Sequence, residues 1–279
     1  MANKALGRKE SHPPSDYISA VKQIQRLTRK YLGYAVIYDQ IIIDFQARAF
    51  SNPTIVEIGV AAGGGLETWR RLFPGARIIG VDLSEAPKAM EIDGYEILTL
   101  DMGKEESWQE LKAHLGESAD LIVDDGGHTN VQQLSALAHG IELLSEGGYL
   151  VIEDLHASFL PNYYNPSRYS TWSFLQKLSD DLQRSHSVVP SNPDQGSLAF
   201  LIDLTLQGPS IFGLRRKNEA TNLSENLVGG LDNSLFVRDY KFDDRVKLPR
   251  WIPVFFKDKI HSIESRVRSM RKSRAFFKK

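Results

Sequence analysis

Five short apolar runs, each ending in a glycine or a carboxylate and most followed by a helix-like stretch, constrain this chain more than any other feature. They cover residues 54–59, 77–82, 95–101, 121–124 and 148–153. Apolar residues at helical spacing lie around 67–72, 107–115 and 131–144. Continuous apolar strands alternating with helices call for a parallel sheet buried on both faces. Ligands then bind at the carboxyl ends of the strands, where these glycines and acids gather.

A further helix is expected at 172–184, followed by apolar runs at 197–203 and 210–214. Residues 204–209 are too few for a helical crossover, so the two runs should pair antiparallel. The predicted fold is α/β: a Rossmann-like, seven-stranded, mostly parallel sheet with an antiparallel last strand. This is similar to the plan of the class I methyltransferases. The expected organisation is 1–50 as lead and helices, 51–216 as the sheet domain, and 217–279 as a C-terminal extension. In the lead, Ile18, Val21, Ile24, Leu27 and Tyr31 recur at helical spacing, and a second helix runs from beyond Gly33 to about Phe50. This preface either packs on the core or covers a pocket or a dimer seam.

The 279 residues, 42% hydrophobic and 25% charged, suffice for a real core. The absence of cysteine excludes disulfides, thiolate catalysis and cysteine zinc sites. Residues 1–14 carry no apolar signal region, and 34–45 is interrupted by Asp39 and Gln40, so a cytoplasmic protein is expected.

Between the first strand and its helix stands Glu57-Ile-Gly59-Val-Ala-Ala-Gly63-Gly64-Gly65. Such a loop turns sharply, admits a ligand closely and presents free N–H groups at the helix start. The spacing differs from the dinucleotide fingerprint G-x-G-x-x-G and resembles motif I of the methyltransferases. Asp82 ends the second strand, where it can accept ribose hydroxyls. Asp101 ends the third, where it can meet an adenine amino group while Met102 packs on the ring. Together with Glu57, Gly59, Gly63, Gly64 and Asp124, they form the expected S-adenosylmethionine site.

The fourth strand ends Asp124-Asp125-Gly126-Gly127-His128, and the fifth ends Glu153-Asp154-Leu155-His156. On neighbouring strands, Asp125, Glu153 and Asp154 can converge. Three unpaired carboxylates would repel one another, and a hard divalent cation removes that repulsion. His128 can face the same cavity as a proton acceptor. The alternatives are structural: Asp124 as a helix cap, Glu153 paired with an arginine, His128 as a packing residue.

At these blocks, and over about residues 50–216, the chain resembles the metal-dependent sugar O-methyltransferases of macrolide biosynthesis, of the macrocin and mycinamicin type. The resemblance implies magnesium held by Asp125, Glu153 and Asp154, and His128 as general base. It implies a sugar-bearing acceptor whose hydroxyls meet the ion, with Tyr163, Tyr164, Tyr169 and Trp172 as candidate sugar contacts. Two departures stand out: Gly127 where the family commonly has serine, which puts a helix-cap contact in doubt, and Gln132 where it has a second histidine.

Two other readings compete: a metal-independent small-molecule methyltransferase, and a non-catalytic scaffold that keeps the fold. Nucleic acid is not the expected partner. Residues 257–279 carry a net +7, but the rest of the chain is −8 against a total of −1. That basic, amphipathic stretch, preceded by 251–256, reads equally as a membrane-surface helix, a homo-oligomer seam or a solvated terminus.

Overall fold

The computed structural model describes residues 15–48, 52–163, 169–184 and 198–218, all within the compact unit Met1–Glu225. The expectations for 1–14, Tyr164 and 251–279 fall outside the described residues.

The sheet has seven strands: β1 (Thr54–Ile58), β2 (Arg77–Asp82), β3 (Glu96–Thr99), β4 (Ala119–Asp124), β5 (Leu144–Ile152), β6 (Ile202–Gly208) and β7 (Ile211–Arg216). Their order is β3-β2-β1-β4-β5-β7-β6. The first five are parallel, and β7 runs antiparallel to both β5 and β6. The direction of the order reverses between β1 and β4, and this switch point is where such sheets open a crevice.

Both faces are covered, which explains the unbroken apolar strands. On one face α4 (Glu105–Leu115), α5 (Asn130–Ser135) with the turn after it, and α7 (Thr171–Arg184) bury Trp108, Leu111, Leu137 and Leu175 against Val56, Ile122 and Leu150. A π-helical turn (Ala136–Gly140) and the short α6 (Ile141–Leu143) carry α5 into β5. On the other face α1 (Asp16–Val21), α2 (Ala35–Ala47) and α3 (Gly64–Leu72) bury Tyr17, Tyr38, Ile41, Phe45 and Trp69 against Ile55, Leu121, Val123 and Val151. The preface therefore packs on the core. Among the described residues no helix is long and apolar enough to cross a membrane.

Two expectations are corrected. The first helix does not run to Tyr31; it stops at Val21. Beyond it, the amides of Gln25 and Arg26 donate to the Glu67 carboxylate at 2.8–3.0 Å instead of to helical carbonyls. The sixth strand does not cover 197–203. Leu198–Leu201 is a 3₁₀ turn, and β6 occupies most of the expected connection. Leu204 and Leu206, alternating with polar residues, pack on the core, and Pro209-Ser210 makes the tight turn into β7.

Candidate functional site

The glycine loop leaves β1 at the switch point. Gly59 has φ +92, and a Cβ there would stand 2.2 Å from the Asp125 carbonyl oxygen, so only glycine lets the loop pass over the end of β4. The Val60 and Ala61 amides donate to Asp82 Oδ2 at 2.9 and 3.1 Å. Gly63, also at positive φ, sits at the N-cap of α3.

Two adjoining cavities open at the loop. One, of about 320 Å³, is lined by Gly59, Asp82, Asp101, Met102, Asp124 and Asp125 among others. The second, of about 210 Å³, is lined by Leu27, Thr28, Arg29, Glu57, Gly59 and Gly64. They share Gly59, Ala61 and Asp125. The predicted cofactor residues are thus divided between them, except Gly63, which caps the helix behind. Burial pushes the Glu57 carboxyl up to about 7 against the pull of Lys30. Burial likewise pushes Asp124 up to about 7 against the Gly126 amide. Glu57 Oε2 and Asp124 Oδ2 are both buried without a hydrogen-bond partner among the described residues.

Beside these cavities, Asp125, His128 and Asp154 each place a donor atom within 4.8 Å of the others. His128 and Asp154 both hold left-handed backbones, at φ 56 and 55. Such strain persists only where surrounding structure over-determines it. His128 Nε2 lies 3.4 Å from Asp154 Oδ2, while its Nδ1 is buried without a partner among the described residues. Tyr163 packs edge-on to the His128 ring. Trp172 lines a separate, more open groove with His156 and Phe159.

Glu153 is not part of that group of three. Its side chain, 1% exposed, accepts from Lys30 Nζ at 2.9 and 3.0 Å and from the Tyr38 hydroxyl. Lys30 also donates to Asp125 Oδ2 at 2.7 Å and lies 3.8 Å from Glu57. Burial disfavours the charged amine, but the Glu153 and Glu57 carboxylates outweigh it and hold the Lys30 pKa well above its usual value. The same burial pushes the Glu153 carboxyl up, and Lys30 pulls it back. Sequence reasoning missed Lys30 entirely. The cap contact placed in doubt by Gly127 is supplied by Thr129: its hydroxyl accepts from the Gln132 amide, and the Gln132 side chain reaches back to the Thr129 amide.

The parallel sheet with an antiparallel seventh strand, bearing a glycine loop at its switch point, is the class I methyltransferase fold. In structure the chain is similar to the MycE methyltransferase of the mycinamycin pathway, solved with Mg, SAH and mycinamycin VI. The TM-score is 0.62 at 20% identity, covering 89% of this chain and 58% of that one. In sequence it resembles sugar O-methyltransferases. It is 30% identical over 168 residues to the 8-demethyl-8-alpha-L-rhamnosyl tetracenomycin-C 2'-O-methyltransferase of Streptomyces olivaceus, spanning 57% of this chain and 43% of that protein. It is 28% identical over 172 residues to the mycinamicin VI 2''-O-methyltransferase of Micromonospora griseorubida, spanning 57% and 41%. The matched stretch therefore covers less than half of these relatives. No protein-family model matches the chain.

Proposed function

We propose that the chain is an S-adenosylmethionine- and magnesium-dependent O-methyltransferase acting on a sugar hydroxyl of a glycan or glycosylated natural product. The observation that carries this reading is the convergence of Asp125, His128 and Asp154, of which Asp125 also lines both cavities at the glycine loop. Two converging carboxylates, Asp125 and Asp154, suit a hard divalent ion. The residues that would hold the ion are Asp125 and Asp154, with Glu153 beside them. On this reading residues 51–216 form the catalytic domain, 1–50 its cover and 217–279 an extension.

When bound, the cofactor supplies an electrophilic methyl group and the ion makes the acceptor hydroxyl more acidic. The protein's own groups do the remainder. The Gly59–Gly64 loop and Glu57 seat the methionine end, and Asp82, Asp101, Met102 and Asp124 line the adenosine end. His128 takes the hydroxyl proton. Asp154, 3.4 Å from Nε2, stabilises the imidazolium that results. Tyr163 beside His128 offers an aromatic face to a sugar ring. Holding acceptor oxygen and methyl carbon in line contributes much of the rate.

One observation favours a second reading, a metal-independent methyltransferase: Lys30 already neutralises part of the acidic cluster. Calorimetric titration of S-adenosylmethionine with magnesium or with EDTA, then of magnesium into wild type and Asp125→Asn, separates the two. Cofactor heat plus an ion heat lost in the variant supports the proposal. Cofactor heat without ion heat supports the second reading, and no cofactor heat overturns both.

A further inference from the structure

Residues 22–31 leave α1 as an irregular strap whose Leu27, Thr28 and Arg29 line the smaller cavity. One end is fastened by the Gln25 and Arg26 amides on the Glu67 carboxylate and by Arg26 on Asp93. The middle lies on the glycine loop: a Cβ at Gly64 would stand 2.5 Å from the Leu27 carbonyl oxygen and 2.7 Å from Thr28 Cβ. The other end is fastened by Lys30, whose side chain is only 7% exposed and whose ammonium touches Asp125 and Glu153. The strap thus lines the proposed methionine seat while its pin rests on one proposed ion ligand, Asp125, and on the neighbouring Glu153.

We infer that Lys30 is a positioning residue that couples closure of the strap over the cofactor to the charge in the acidic cluster, because its ammonium and a divalent ion compete for Asp125. A dication beside a docked ammonium meets like-charge repulsion in a poorly solvated site. Ion entry therefore draws Lys30 off Asp125 and loosens the strap at that end. Thermodynamic reciprocity makes the converse hold: anything that weakens the closed strap tightens ion binding. The inference rests on the proposed ion site, but its test needs no turnover and no acceptor.

The experiment titrates Mn2+ into the full chain, without cofactor, for wild type, Lys30→Met and Glu67→Gln, and follows backbone hydrogen exchange across 22–31. Lys30→Met keeps length while removing the charge. Glu67→Gln loosens the far end of the strap without touching the cluster, and it serves alone should the lysine variant fail to fold. The expected result is Mn2+ binding about tenfold or more tighter in Lys30→Met and less strongly tightened in Glu67→Gln. In wild type Mn2+ speeds exchange across the strap, and in Lys30→Met exchange is already fast and unresponsive. Unchanged or weaker Mn2+ binding in the variants, or wild-type strap exchange indifferent to Mn2+, overturns the coupling. A parallel titration of S-adenosylhomocysteine reports separately on the proposed function: its failure in wild type removes the methyltransferase reading whatever Mn2+ does.

Discussion

The Tyr34 hydroxyl donates to Oδ1 of Asp154 at 2.5 Å, and the tyrosine oxygen in turn accepts from the Asp154 amide at 3.1 Å. A residue of the N-terminal preface thus sets the angle of a strand-end carboxylate 120 positions later. Burial and the Asp154 carboxylate both raise the Tyr34 pKa, so it stays a neutral donor. Tyr34→Phe removes this hold and leaves the Asp154 amide without its acceptor. The expected outcome is a loss of about 1–3 kcal/mol in thermal unfolding, with weaker divalent-ion binding, read together by calorimetry.

His128 is replaced best by asparagine, because the backbone there is left-handed and asparagine tolerates it better than alanine. His128→Asn is expected to lower kcat by about 10²–10⁴-fold while S-adenosylhomocysteine binds nearly as in wild type. Turnover close to wild type would remove His128 as the base.

Gly59→Ala combines a strained φ with a Cβ driven into the Asp125 carbonyl. The loop must shift, moving the Asp125 backbone with it. A stability loss of at least about 1–3 kcal/mol and loss of cofactor binding are expected, measured by thermal unfolding and by titration. Wild-type behaviour in both would mean the loop does not ride on β4 as described.

Away from the site, Arg77 meets Glu96 through two contacts of 2.8 Å, and His114 Nε2 lies 2.7 Å from the same carboxylate. The Arg77 hydrogen bonds hold the Glu96 pKa below its usual value, even though partial burial opposes this. A depressed carboxylate stabilises the fold above its unfolded pKa and stops doing so as pH falls through the folded one. Acid unfolding should therefore begin at higher pH in Glu96→Gln. The difference at neutral pH should stay within about 1 kcal/mol, since the pair is partly exposed.

The five parallel strands were legible because each is a short, mostly apolar run of the kind a strand covered on both faces carries. Asp125, His128 and Asp154 were legible because strand ends on neighbouring strands must meet. The strap was not legible. Its leucine and tyrosine keep a helical rhythm, and the Glu67 acceptor that interrupts the helix lies some forty residues away. Lys30 was hidden for the same reason: one of four basic residues between 22 and 30, it gives no local sign of carboxylates 95 and 123 positions further on. The β6 strand was misplaced because 198–201 is as apolar as a strand, whereas the true strand alternates less conspicuously.

The covering of one sheet face by α2 has a temporal consequence. The helix is made before every strand it packs on, and these include β4, β5 and β7, the last ending at Arg216. At roughly 5–20 residues per second on the ribosome, Tyr38 and Phe45 wait on the order of 10–40 s for their partners. The contact between Tyr34 and Asp154 can close only once β5, most of the sheet's length along the chain, has been made.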